Sequence, residues 1–442
     1  MIIKRLYPKT NRVTMPLLSR VKMTYLGQFF VRKLERYYYI RLFALTTWNF
    51  FILTLHWVHK IFHLTDPQYS CSLANFSTKK IQIFPRQFCT IPFPETYPSK
   101  ENDFLKIRTD FEFPEIYITT LKNFTVIGSS KLIFNERMLL YDDLFDPNLD
   151  LMPEEYQKRL FFNKKKSLVH LNFKKENPAI IPKGIAFTDA LSHNYAHFLT
   201  EILPKIAIYF KGSPDFSVKV IIDLCLHENI LQAMEMVVGS NLEVIGLEPN
   251  EVVFVRSLRV MSTCGSVPFE PRPGTFEIAG HSHGEFSSLA LMYMRNLIQS
   301  KISYIPKAGV VLKLYIKRTA SNRNLLNITE VEDILLKNGF ITIIPEAMSF
   351  IEQVKIFSNA DIVLGSSGAA FANIIFCKPE AKIIILAPET QNFPYGYWQK
   401  IACAVGCQVS YMLGKPLRKH DVHSDYYVNE SALLTLIRSV IK

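Results

Sequence analysis

At 442 residues the chain has the length of two or three domains, and 48% hydrophobic with 20% charged residues excludes a fibrous or low-complexity protein. Its net charge of +12, from 51 basic and 39 acidic residues, first suggests nucleic acid or an anionic membrane surface. Residues 1–65 hold eleven of the Lys/Arg against one acid, Glu35, so +10 of the +12 lies there and 40 basic and 38 acidic residues remain. That near-neutral body argues against a nucleic-acid-binding protein.

After the basic stretch, Leu42 to Val58 runs seventeen residues without a formal charge, the lower limit for spanning a hydrocarbon core. Asn49 and His56 weaken a spanning reading. The long basic region and the lack of a small-residue cleavage site argue against a signal peptide. Three readings remain: a short signal-anchor with its N-terminus in the cytosol, a helix lying in the interface, or a buried helix of the fold. Membrane association is favoured.

Residues 66–114 are rich in Pro, Ser and Thr and read as a linker. From Glu115, EIYITTL, NFTVIG and KLIFN are strand-like runs punctuated by Gly128 and Asn135. Met152 to Lys175 reads as a polar surface excursion. A helix is expected from Asn194, a strand at Val218 to Ile222, a helix at Leu231 to Val238, and strands at Glu243 to Ile245 and Val252 to Val255. Ser287 to Ser300 is a further helix, and the boundary between two α/β halves is placed near residue 305. In the second half, strands at Val310 to Ile316, Phe340 to Ile344, Asp361 to Gly365 and Lys382 to Ala387 alternate with helices. Capping boxes at Thr329/Glu332 and Ser349/Glu352 open two of those helices, and Gly339 closes the first. This alternation makes a parallel, doubly wound sheet.

In such sheets ligands bind beyond the carboxyl ends of the strands. Those positions hold Arg318 and Arg323, then Glu346, then Gly365-Ser366-Ser367-Gly368-Ala369, then Glu389. Two guanidinium forks facing a glycine-flanked helix start suit a diphosphate, and an acid after the last strand suits ribose hydroxyls. The bland alternative is turn geometry for the glycines and an ordinary surface for the arginines. No Gly-Lys-Ser/Thr follows the turn, which disfavours a Walker loop and phosphate-transfer chemistry.

In the first half a 100° wheel places Tyr195, Phe198, Leu199, Ile202, Leu203 and Ile206 on one stripe and Asn194, His197, Glu201 and Lys205 on the other. His197 and Glu201 are i,i+4 neighbours, either a general base with a tuning partner or a solvated surface pair. Pro204 should kink this helix or sit where the lost hydrogen bond is tolerated. The seven scattered cysteines lack zinc-site spacing and read as mostly buried free thiols.

Asn194-Tyr195-Ala196-His197-Phe198-Leu199-Thr200-Glu201-Ile202-Leu203-Pro204-Lys205 resembles the NYxHFLxExLPK signature of glycosyltransferase family 61, also called the domain of unknown function 563. Arg318 to Arg323 with Asn327, Gly339-Phe340, Pro345-Glu346, Ser349-Phe350 with Glu352-Gln353, and Gly365 to Asn373 ending in Phe376 agree in the same order, over about residues 115–440. The resemblance implies an α/β, GT-B-like enzyme of two Rossmann-like domains facing a cleft. These would be an acceptor-side domain at 115–304 and a nucleotide-sugar-binding domain at 305–442, behind an arm and membrane-associated helix at 1–65. It implies an inverting, metal-independent glycosyltransferase with no cofactor beyond its nucleotide-sugar substrate. His197 or Glu201 would be the base and Asn194 would lie on the acceptor side. Arg318, Arg323, Glu346, Gln353, Gly365, Ser366, Ser367, Gly368, Ala369 and Glu389 would bind the donor.

Many eukaryotic members read HGA where this chain has Ser367-Gly368-Ala369, a form similar to bacterial members that build capsular or surface polysaccharide. The expected partners are therefore a nucleotide sugar, a glycan or lipid-linked glycan acceptor and an anionic membrane, with the body at the cytoplasmic face of the inner membrane. The positive-inside rule then requires Leu42 to Val58 to lie on that face without crossing. The alternatives are a type II Golgi enzyme, with sequons at Asn75, Asn123, Asn327 and Asn429, and a non-catalytic membrane-bound assembly protein.

Overall fold

The computed structural model describes residues 2–5, 68–145, 160–163, 168–171, 178–211, 217–224, 226–239, 243–267, 269–270, 280–281, 283–302, 311–318, 322–419 and 421–441. Leu42 to Val58, the rest of the basic arm and the proposed boundary near residue 305 lie outside them, as does much of the expected excursion at 152–175. Among the described residues no helix is long and apolar enough to cross a membrane.

The segment expected as a linker is built into both halves. Strand β1 (Lys80–Phe84) pairs antiparallel with β3 (Ile116–Ile127) of the first sheet, whereas β2 (Glu95–Tyr97) ends up on the edge of the second. Its prolines and hydroxyls made it look like a tether, but Phe111 and Phe113 supply buried apolar surface that free tethers lack. The runs EIYITTL and NFTVI join into one twelve-residue strand, β3, which stays paired with its neighbour on either side of Asn123, where the backbone takes a positive φ of 62° that asparagine tolerates.

The first sheet continues with β4 (Ala179–Ala186). Then comes helix α1, a continuous run of Tyr195–His197, a π-helical turn Phe198–Ile202 and Leu203–Tyr209. After it come β5 (Lys219–Asp223), helix α2 (Glu228–Val238), β6 (Glu243–Leu247) and β7 (Val252–Met261). The strand order is β6-β5-β4-β7-β3, with β4, β5 and β6 mutually parallel and β3 antiparallel to β7. Helix α3 (Ser288–Ser300) follows, its Ser287 hydroxyl accepting from the Ala290 amide at 3.1 Å.

The second half holds β8 (Lys313–Ile316), α4 (Ile328–Lys337), β9 (Phe340–Ile343), α5 (Phe350–Asn359) and β10 (Ile362–Ser366). A 3-10 helix Ala369–Phe376 leads to β11 (Lys382–Pro388), α6 (Tyr395–Ala404), β12 (Gln408–Pro416), β13 (Tyr426–Tyr427) and α7 (Glu430–Ile441). The parallel order β9-β8-β10-β11-β12 places the first strand between the second and third, and so creates a topological switch point between β8 and β10. Both faces of the central strands β10 and β11 are covered, so these two are buried and apolar almost throughout. Ile383 and Ile385 pack with Phe350 and Ile401, while Ile384 and Leu386 on the other face pack with Leu335 and Leu436. The same cluster that holds Phe350 and Phe376 also takes in Ile206, Ile230 and Met294 of α1, α2 and α3, so apolar packing runs unbroken between the halves.

Local helix signals met different fates. The Ser349 box forms as expected, with Ser349 Oγ accepting from the Glu352 amide at 3.3 Å and Glu352 Oε2 accepting from the Ser349 amide at 2.8 Å. The Thr329 box does not form. Helix α4 starts at Ile328, and Glu332 instead pairs with Lys317 at 2.8 Å. Asn327 clasps Val428, donating to its carbonyl at 2.8 Å and accepting its amide at 3.2 Å, and is buried. The folded chain therefore cannot carry a glycan at that sequon, while Asn75, Asn123 and Asn429 are exposed.

At the end of β5, Asp223 is 2% exposed and accepts the amides of Ser129 at 2.5 Å and Asp189 at 2.9 Å, which fixes the loop entering α1. Burial pushes its carboxyl up to about 7. Because the folded pKa exceeds the unfolded one, the folded state holds this proton more tightly, and stability is lost as pH rises from the ordinary Asp range through about 7. In denaturant titrations the stability of Asp223→Asn relative to the wild type should rise by up to about 4 kcal/mol between pH 4 and 7, then level off. A pH-independent difference would contradict this.

Candidate active site

Helix α1 carries the first cluster. The wheel put His197 and Glu201 on a polar face, but both are 6% exposed and Thr200 is fully buried. The solvated-pair alternative is thus overturned, because Gly265 in the loop after β7 closes against the Thr200 carbonyl and the Glu201 side chain, and Tyr397 lies beside Glu201. His197 Nδ1 and Glu201 Oε1 are 2.5 Å apart. The intervening π-helical turn has the Leu203 amide donating to the Phe198 carbonyl five residues back, an arrangement concentrated at functional sites. Pro204 has no amide to offer, and sits in the first turn of the segment that follows. The Thr200 carbonyl faces Gly265 instead. A Cβ on Gly265 would lie 2.8 Å from that oxygen and 2.8 Å from the Phe286 ring, so only glycine permits this approach. Asn194 serves as the helix cap, accepting the Ala196 amide at 3.0 Å.

The second cluster lies at the β8/β10 switch point. Arg318 leaves β8 and crosses the turn after β10, with Nη1 donating to the Ser367 carbonyl at 3.0 Å. Nε donates to the Asn322 carbonyl at 3.0 Å and Nη2 to Asn322 Oδ1 at 3.2 Å. These bonds use three of the five guanidinium N–H groups. Burial lowers the Arg318 pKa, opposed by Tyr426 and by Glu346, which is exposed nearby. Arg323 takes a left-handed φ of 57°, its Nε is buried without a hydrogen-bond partner, and burial followed by repulsion from Arg318 brings it down to about 10. Two adjacent, partly desolvated guanidinium groups with an orphaned donor make a site that an anion would complete.

The small-residue turn is braced from behind. Ser366 Oγ lies 2.9 Å from the hydroxyl of the fully buried Tyr426, which also donates to the Leu386 carbonyl at 2.9 Å. Trp398 Nε1 donates to Ser367 Oγ at 3.0 Å. Gly365 packs against Ile316, and Gly368 lies directly beneath Arg318, so a Cβ there would sit 2.2 Å from Nη1. Ala369, which opens the 3-10 helix, is exposed.

Arg318, Arg323, Glu346 and residues 365–369 thus converge, while two expected donor residues are engaged elsewhere. Gln353 is 2% exposed, donating to the Pro345 and Met348 carbonyls at 2.9 and 3.1 Å and accepting from Asn373 at 2.7 Å. It is a brace. Glu389 pairs with Lys100 at 2.6 Å, a partner from the segment taken for a linker.

Three residues that the sequence reading missed join the clusters. Tyr195 of α1 donates to Asn373 Oδ1 at 2.8 Å, reaching from one half to the other. Tyr397 and Trp398, consecutive on α6 with rings 4.5 Å apart, connect the sites: Trp398 holds Ser367, and the Tyr397 phenol is pushed up by burial and then by the Glu201 carboxylate beside it. Only the aromatic dipeptide itself was visible in the sequence, with no marker of what it would touch. Among the described residues no group of three or more His, Cys, Asp or Glu could hold a metal ion.

Because Gly368 is covered by the movable end of Arg318 rather than by backbone, Gly368→Ala should displace that guanidinium and leave the sheet intact. The expected result is at least a tenfold loss of binding to a nucleoside diphosphate, about 1.4 kcal/mol, with melting within a few degrees of wild type. Unchanged binding would show that Arg318 has no part in the site.

No curated protein matches the chain. Residues 195–384, from the first residue of α1 into β11, match the family model described as Glycosyltransferase 61, which supports a glycosyltransferase domain over that span.

Proposed function

We propose that the protein is an inverting, metal-independent glycosyltransferase that moves a sugar from a nucleotide-sugar donor to a surface or capsular glycan, on a GT-B-like arrangement of its two halves. The observation that carries the reading is the pairing, within the matched span, of a buried His197–Glu201 dyad with two adjacent guanidinium groups at a sheet switch point.

With Glu201 ionised, its Oε1 accepts the proton on His197 Nδ1, which leaves the lone pair on Nε2. His197 is then the base and Glu201 the group that orients it and stabilises the imidazolium. The acceptor hydroxyl gives its proton to Nε2 as its oxygen bonds to the anomeric carbon. The bond from that carbon to the diphosphate oxygen breaks with its electron pair, and the charge developing on the diphosphate meets Arg318 and Arg323. These guanidinium groups supply leaving-group stabilisation, and removing one such donor costs about 10²–10³ in rate. The +10 arm would hold the body against an anionic membrane surface, at the cytoplasmic face in a bacterium, by charge and by Leu42 to Val58.

Incubation with UDP-glucose, UDP-N-acetylglucosamine, UDP-xylose and GDP-mannose should reveal slow hydrolysis or thermal protection with one of them. Arg318→Ala should abolish protection. His197→Ala should keep it and lose at least about 10²-fold in turnover, and Glu201→Gln should lose turnover with binding intact. Absence of any response to all four, or full turnover in His197→Ala, would sink the reading.

A further inference from the structure

The loop carrying residues 421–425 lies against the loop carrying Arg323, and backbone contacts fix the two together. The Arg323 amide donates to the His423 carbonyl at 3.4 Å and the Asn324 amide to Asp425 Oδ1 at 2.8 Å, while Leu325 bridges to Tyr426. This docking brings His423, 105 residues downstream of Arg318 in the chain, to the edge of the guanidinium pair, where it is part-buried and keeps one side open to solvent. We infer that His423 is a further donor-binding residue, and that occupation of the Arg318–Arg323 site by a diphosphate is coupled to uptake of one proton by its imidazole. The inference rests on the donor-site reading above and assigns to it a residue and a pH dependence of its own.

The charges around His423 give the direction. Partial burial and then the Arg323 guanidinium hold its pKa below the ordinary value; Asp421 opposes this, and Arg318 and Arg418 add to it. Asp421 is itself engaged, paired with Arg418 at 2.8 Å, and its Oδ1 accepts the His423 amide at 2.8 Å. Asp425 is held by the Asn324 amide. In the empty protein the imidazole is therefore neutral near pH 7, facing cations. A diphosphate brings two negative charges against Arg323 and Arg318, cancels the repulsion that disfavoured the imidazolium and offers it an oxygen to donate to. The proton comes from solvent, and no covalent bond changes. By linkage, a ligand that raises this pKa binds more tightly where the imidazole is charged, so donor affinity falls as pH rises. The orphaned Arg323 Nε, buried beside the same space, gains its missing acceptor in the same event.

Nucleotide sugars are suitable probes because both phosphoryl groups are esterified and stay fully ionised, so only the protein can take up the proton. With the full-length protein, titration calorimetry at pH 6.5 with UDP-glucose, UDP-N-acetylglucosamine, UDP-xylose and GDP-mannose, each in two buffers of different ionisation enthalpy, reads proton uptake directly. For whichever donor binds, we expect about half a proton or more taken up per site, and affinity about tenfold weaker at pH 8 than at pH 6. His423→Gln should still bind, with no uptake and a flat pH profile. His423→Arg, whose charge is fixed, should bind without uptake at wild-type strength or better. Binding by the wild type without proton uptake, or uptake that survives in His423→Gln, overturns the inference and leaves the donor site standing. Failure of all four sugars to bind overturns the donor-site reading, and this inference with it.

Discussion

Holding two guanidinium groups side by side out of full contact with water is the constraint around which the second half is organised. Like charges repel, and desolvation adds to the penalty, which is why Arg323 falls to about 10 and Arg318 is also lowered. The protein offsets part of this with carbonyls rather than carboxylates: Ser367 and Asn322 receive Arg318, and the carboxylate of Glu346 stays at the exposed margin. A buried counter-ion would cancel that charge. Neutral acceptors hold the forks in place and leave their charge uncompensated.

That arrangement is possible only at a switch point. Strands β8 and β10 are adjacent, yet their following connections leave toward opposite faces of the sheet, so a gap opens above their carboxyl ends. Arg318 enters this gap from β8 and the Ser366–Gly368 turn from β10. Small residues are needed there because the guanidinium lies on Gly368 and the Ile316 backbone on Gly365. Tyr426 and Trp398 then fix the serines from below, which converts a flexible small-residue turn into a rigid one.

The dyad in the first half obeys a different economy. His197 and Glu201 lie within one turn of a helix whose π-helical distortion and missing Pro204 amide would be unfavourable in isolation. Tertiary packing over-determines it. Gly265 closes on the Thr200 carbonyl, the ring of Phe286 seals the side, and the Tyr397 phenol approaches from α6. Since α6 also delivers Trp398 to the Ser367 turn, one helix sets both the environment of the dyad and the position of the turn that Arg318 covers. The apolar cluster shared by α1, α2, α3 and α5 keeps the helices of the two halves packed against one another.

Sequence alone determined the features that arise from near neighbours. Alternating β and α signals with apolar strands announced a two-sided parallel sheet, Ser349 and Glu352 formed their box because both partners lie within one turn, and the i,i+4 spacing of His197 and Glu201 guaranteed that they could meet. It also placed Arg318 and the 365–369 turn at strand ends. Tertiary structure decided what depends on distant partners. Burial turned the expected polar face of α1 into an interior dyad, and Lys100 claimed Glu389. Asn373 claimed Gln353, and Val428 drew Asn327 away from a glycan's reach. Residues 68–114 looked like a tether because their composition is that of loops, yet an edge strand needs only backbone hydrogen bonds and a few buried rings, neither of which composition records. His423 carried no signal, and Tyr397 and Trp398 only that of an aromatic dipeptide, because a residue's chemistry at a site depends on which charges and dipoles surround it, and those arrive from elements up to two hundred positions away.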